Sequence, residues 1–226
     1  MLQRSASHVV TGVIAVASLV GCAADAPAAT QTPSADPTPT RSGETVMELE
    51  ATGEPLPAGR YRRAGFTPQI TLELDGSWEA VQLIEGFFDV QQDIGSPDVI
   101  AVQFARPLGV FGVDDAVEPT SATDAVEILR VNPHLDVVET SASRMGGLEG
   151  SQVTVENVGP THTHVLHLGP GGLGIDPGRR LWIAFFDTSD GLLAIMVGGS
   201  TERWDEALAA AEPVLESVRI GEDEPQ

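Results

Sequence analysis

Leu181-Trp182-Ile183-Ala184-Phe185-Phe186 and Leu192-Leu193-Ala194-Ile195-Met196-Val197 stand on either side of Asp190-Gly191. An Asp-Gly pair between two apolar runs predicts a β-hairpin. A strand with one wet face alternates apolar and polar residues. These two do not, so the sheet they form is covered on both sides. That reading sets the hairpin inside a sheet with both faces buried.

Downstream of this hairpin, Thr201 is placed to cap a helix through Trp204, Leu208, Ala211 and Leu215, which Pro213 bends or shortens. Residues 217–220 are expected to form one last short strand. Upstream, Ile70-Thr71-Leu72-Glu73-Leu74 alternates with strand period and ends at Asp75-Gly76, with Trp78 following. Residues 59–66 read as an extended lead-in. Residues 86–91 and 99–105 read as strands separated by Gly95-Ser96-Pro97-Asp98, and a Pro/Gly-rich loop follows to about residue 120. Ser121-Ala122-Thr123-Asp124 opens a helix carrying Ala125, Val126, Ile128 and Leu129, which Pro133 stops. Residues 137–143 and 152–156 make a hairpin around Gly146-Gly147.

Short motifs in this frame resemble one known fold. Asp75-Gly76-Ser77-Trp78 is similar to the P-x-G-W segment of Mog1/PsbP-like domains, without the proline. The closing hairpin, helix and strand, ending Glu216-Ser217-Val218-Arg219-Ile220, resemble the end of that fold. Gly147-Leu148-Glu149-Gly150-Ser151 is similar to its mid-domain hairpin. The resemblance spans about residues 59–220 and implies the fold class α+β, a central antiparallel β-sheet with helices on both faces (a Mog1/PsbP-like sandwich), engaged in non-enzymatic binding; the two-faced apolar hairpin agrees with it. Its members share no catalytic residues, so none is carried over.

The amino terminus supplies an address. Arg4 precedes an apolar run from Val9 to Val20 that is too short to span a membrane with confidence. The run ends in Leu19-Val20-Gly21-Cys22, which resembles the lipobox of bacterial lipoproteins, and Cys22 is the sole cysteine. The resemblance extends to surface lipoproteins of high-GC Gram-positive bacteria. It implies cleavage before Cys22 and at least diacylation of that sulfur, so that membrane lipid holds the protein on the extracytoplasmic face of the cell membrane. Residues 1–21 are thus expected to be a signal peptide. Residues 22–45, rich in Ala, Thr and Pro without apolar period, are expected to be a disordered tether. Residues 46–221 form one globular domain, and residues 222–226 an acidic tail.

The 226-residue chain carries a net charge of −21, with every cation an arginine. Such acidity disfavours nucleic acid and anionic headgroups as partners. With its one thiol lipidated, the domain has no intramolecular disulfide and must be held by its core.

Three constellations bear on chemistry. In Thr161-His162-Thr163-His164-Val165-Leu166-His167, strand geometry puts His162 and His164 on one face, within reach of one metal ion. His167 is expected on the opposite face, and Asp176 or a distant carboxylate is a candidate to complete a Zn²⁺ or Cu²⁺ site. Gly169-Pro170-Gly171-Gly172-Leu173-Gly174 fits G-x-G-x-x-G, but no helix opens after it, so it reads as a flexible loop and not as a dinucleotide site. Arg60, Arg62 and Arg63 around Tyr61, and Arg179-Arg180, are the basic clusters, fit for a carboxylate or phosphate or for guarding a strand edge. Glu48, Glu50, Asp114 and Asp115 read as solvated surface. No G-x-S-x-G elbow is present.

The sequence therefore points to a membrane-anchored binding or accessory module without catalysis, requiring no cofactor. Its partner would be an envelope protein or a small ligand. A surface metal-binding protein using His162 and His164, and an envelope enzyme assembled from scattered residues, are the alternatives.

Overall fold

Fifteen strands and two helices follow one another along residues 45–169 and 171–221, the residues that the computed structural model describes. The expected signal peptide, Cys22, the expected tether up to residue 44 and the expected acidic tail 222–226 lie outside them. In chain order the elements are β1 (Met47–Glu48), β2 (Gly59–Arg62), β3 (Ile70–Leu74), β4 (Glu79–Ile84), β5 (Phe87–Gln92), β6 (Ile100–Ala105), β7 (Gly109–Phe111) and β8 (Ala116–Val117). Then come α1 (Ala122–Arg130), β9 (Leu135–Met145), β10 (Leu148–Asn157), β11 (Thr163–His167), β12 (Gly172–Ile175), β13 (Arg179–Thr188), β14 (Gly191–Ser200), α2 (Trp204–Ser217) and β15 (Arg219–Ile220).

The central sheet has seven strands in the order β4-β5-β6-β14-β13-β10-β9, every neighbour antiparallel. The β13–β14 hairpin lies inside it and is covered on both sides, as its unbroken apolar runs require. Alternation along the strands sorts the side chains into two cores. Leu181, Ile183, Phe185, Ala194 and Met196 face one; Ala184, Phe186, Leu193, Ile195 and Val197 face the other.

The covering layers differ from the expectation of helices alone. Alanine and valine side chains of α1 share the first core with Val110, Val165, Leu166 and Ile175 of a four-stranded sheet β12-β11-β7-β8. Ala211 and Val214 of α2 share the second with Tyr61, Ile70, Leu72 and Ile220 of another, β1-β2-β3-β15. Width explains the correction. Seven strands about 4.8 Å apart span roughly 29 Å, whereas a helix is about 10–12 Å across. One helix covers less than half of either face, and a small sheet covers the rest.

Local chemistry sets the ends of the elements. Gly146 and Gly147 have φ of 53° and 82° and join β9 to β10 in a two-residue turn, the geometry that matches strand twist. Ser121 caps α1, its Oγ accepting from the Asp124 amide at 3.1 Å, which contributes about 1 kcal/mol. The Ala122 amide donates to Asp187 Oδ1 at 2.9 Å and ties this helix to β13. Thr201 does not cap α2. Its amide donates to the Gly178 carbonyl at 3.0 Å, and Arg203 holds the cap position without a side-chain cap bond. Asp205 and Glu206 in the first turn complement the helix dipole instead. The helix runs through Pro213 to Ser217.

The carboxyl-terminal strand is gripped from two sides. β15 pairs antiparallel with β3, and Gly146 in the β9–β10 turn bridges Arg219. Ser217 Oγ accepts from the Glu73 amide at 2.8 Å while donating to the Val214 carbonyl at 2.7 Å. Val218 and Ile220 are buried in the second core.

Candidate functional site

Along β11, Thr163, Val165 and Leu166 are buried, His164 is exposed and His167 is half-buried. Two successive inward residues break the strand's two-residue period. The pairing with β12 shifts register between His164 and Leu166, and a bulge of this kind flips the parity of every residue beyond it. His164 and His167 therefore share the outer face, which corrects the expected placement of His167 opposite the other two. Phe111 of β7 meets both: its ring centre is 5.3 Å from that of His164 and 6.2 Å from that of His167. His162, just before β11, stands edge-on to His164, with ring centres 5.2 Å apart and planes at 81°.

Asp176, just past β12, orients this pair. Its Oδ1 lies 2.9 Å from His162 Nδ1, and both side chains are exposed, at 68% and 45%. β12 supplies the floor. A β-carbon at Gly174 would collide with the Thr163 carbonyl and fall 2.5 Å from His162 Nε2; one at Gly172 would fall 2.9 Å from His164 Nδ1. Only glycine leaves room for the two imidazoles to lie across the strand. The 169–174 segment is thus not simply a flexible loop, since Gly172–Ile175 is a paired strand. Among the described residues, no group of three or more His, Cys, Asp or Glu side chains is arranged to hold a metal. What stands together is an imidazole pair with a carboxylate bound to one ring.

The basic clusters are engaged elsewhere. Glu48, expected as solvated surface, is half-buried. Its carboxylate lies 3.7 Å from Arg62 Nε and 3.9 Å from Arg63 Nη1, and accepts from the Ala64 amide. Arg60 Nη2 donates to Thr71 Oγ1 at 3.4 Å. Glu50, Asp114 and Asp115 are exposed. Arg179 donates to the carbonyls of Pro97 at 3.1 Å and Val99 at 2.7 Å, and burial pulls its pKa below the usual guanidinium range. Arg180 pairs with Glu156 at 2.9 Å and sits over the Trp204 ring. Arg179 also borders an open groove of about 570 Å³ that Glu156, Asp176 and Glu202 make acidic.

One carboxylate is buried in the central sheet. Asp89 on β5 is 1% exposed. Its Oδ1 accepts from the Gln82 amide at 2.7 Å and its Oδ2 from Gln91 Nε2 at 2.6 Å. Gln82 lies where the β4–β5 pairing shifts register. Burial raises the Asp89 pKa and these hydrogen bonds oppose the rise. Its partners are those of a residue that holds a bulge, and among the described residues no second titratable side chain bonds to it.

Cys22 lies outside the described residues. No helix among the described residues is long and apolar enough to cross a membrane.

No protein-family model and no curated protein matches the chain. Among solved structures it is similar to cyanobacterial PsbP (CyanoP) from Synechocystis sp. PCC 6803, at TM-score 0.40 and 13% identity over 73% of this chain and 94% of that one. It is also similar to LpqN, involved in cell envelope biogenesis of Mycobacterium tuberculosis, at TM-score 0.37 and 10% identity over 73% and 86%.

Proposed function

We propose that this chain is an extracytoplasmic lipoprotein whose folded domain is a non-catalytic binding or accessory module, held to the cell membrane by an acylated Cys22. The observation that carries the binding role is the outer face of sheet β12-β11-β7-β8. It presents His162 and His164 to solvent, flanked by the half-buried His167 and Phe111, on a paired backbone with a glycine floor. Fixed rings of this kind lose little conformational entropy on binding. The anchor is supported by Leu19-Val20-Gly21-Cys22 at the end of the apolar run.

Lipid labelling and membrane fractionation test the anchor. The wild type is expected to take up labelled acyl chain and sediment with membranes, whereas Cys22→Ala loses the label and is released or left uncleaved. Unchanged labelling of Cys22→Ala, or native protein with an intact amino terminus and a bare thiol, refutes it. A photocrosslinker at Phe111 is expected to capture the ligand in cells, whereas one at Val138 on edge strand β9 captures none. Equal yields from both positions would remove the imidazole face as the binding surface.

A further inference from the structure

We infer that His162 and His164 bind one Zn²⁺ ion, with Asp176 as the residue that positions His162. The inference rests on reading the imidazole face as the binding surface, and adds a metal ion to that face.

Three observations converge. First, an ionised carboxylate only accepts hydrogen bonds, so its contact of 2.9 Å with His162 Nδ1 places the ring proton on that nitrogen. The neutral ring then keeps its Nε2 lone pair for a metal. A carboxylate behind the ligating histidine is the usual outer partner in zinc sites, where it fixes tautomer and orientation. Second, the spacing fits. With a Zn–N bond of about 2.0–2.1 Å, a ring centre lies roughly 3.2 Å from the ion, and two imidazoles at the tetrahedral angle have centres about 5.2 Å apart. The observed separation is 5.2 Å. Third, Gly172 and Gly174 leave the space over β12 that the rings occupy. The overall charge of −21 raises the local concentration of cations.

His167 is outside the ligand set. It meets the group through Phe111, at 6.2 Å from that ring. Two protein nitrogens leave two tetrahedral positions, which water fills in the isolated protein.

The test is zinc titration of the full chain against a chromophoric chelator, with circular dichroism to verify the fold of each variant. Equimolar uptake is expected in the wild type and in His167→Ala. His162→Ala and His164→Ala are each expected to abolish it. Asp176→Asn should weaken affinity about 10–100-fold, and Asp176→Glu should recover part of the loss. Absence of protein-dependent uptake, or uptake unchanged in the double variant His162→Ala/His164→Ala, overturns the zinc site. Asp176→Asn with wild-type affinity overturns the positioning role. Loss of zinc uptake together with retained crosslinking at Phe111 would sink this inference while leaving the binding face intact.

Discussion

Phe186→Ala is expected to lower unfolding free energy by about 3–5 kcal/mol, and Phe185→Ala by a similar amount from the opposite face. Both rings have no exposed surface. Phe186 packs with Leu193 and Ile195 in the core beneath α2, whereas Phe185 packs with Ala194 and Met196 in the core beneath α1. Each truncation removes apolar contact and leaves a cavity that a hydrogen-bonded sheet cannot collapse to fill. Urea titration followed by tryptophan fluorescence checks more than the magnitude. Trp78 lies in the Phe186 core alone. Because one hairpin carries both cores, Phe185→Ala should shift the Trp78 transition as far as Phe186→Ala does. A Phe185→Ala protein whose fluorescence midpoint stays at the wild-type value would show that the two cores melt independently.

Asp89→Ala is the second large effect, at about 2–4 kcal/mol. It takes the acceptor from two part-buried hydrogen bonds, those of the Gln82 amide and of Gln91 Nε2, and a donor left there without a partner costs about 1–3 kcal/mol. Asp89→Asn keeps an acceptor for Gln82 and separates hydrogen bonding from charge. The carboxyl is shifted above its ordinary value near 3.8, because burial outweighs the hydrogen bonds to it. The folded state thus holds this proton more tightly than the unfolded state. Its contribution to stability is fully present below the unfolded value and is lost as pH rises through the raised folded value. Asn does not titrate. Asp89→Asn should therefore compare best with the wild type at neutral pH and lose ground as the solution is acidified toward about pH 4. Urea midpoints at several pH values between these limits check it. An Asn-minus-Asp difference that is flat, or that grows on acidification, rules out a raised Asp89.

Legibility in the sequence followed the regularity of the backbone. Ile70-Thr71-Leu72-Glu73-Leu74 keeps strict alternation and is β3 as read. Gly146-Gly147 and Ser121 announced their turn and cap because a positive φ and an orphan amide each demand a particular chemistry. Asp190-Gly191 marked the central hairpin, although Gly191 already pairs with Thr188 and Ser189-Asp190 form the turn. Two register shifts account for two failures. One between Ala80 and Leu83 breaks the period of β4, which went unread as a strand. The other, between His164 and Leu166, put His167 on the wrong face. β7, β8 and β12 are short, β7 and β12 carry glycine, and only their neighbours make them strands. At the site, the His162–His164 pair was visible from spacing alone, and Asp176 was a candidate beside it. Phe111 was not, because nothing local links it to a strand more than fifty residues downstream.

The grip on β15 has a bearing on when the molecule can form. Residues 218–220 complete one hydrophobic layer and lie between strand β3 and the β9–β10 turn. The two sides of that layer are far apart along the chain: Ser217 and the Glu73 amide it accepts from are 144 positions apart. Closing so long a loop costs entropy before the contact repays it, so this seam closes late in folding, after the local hairpins.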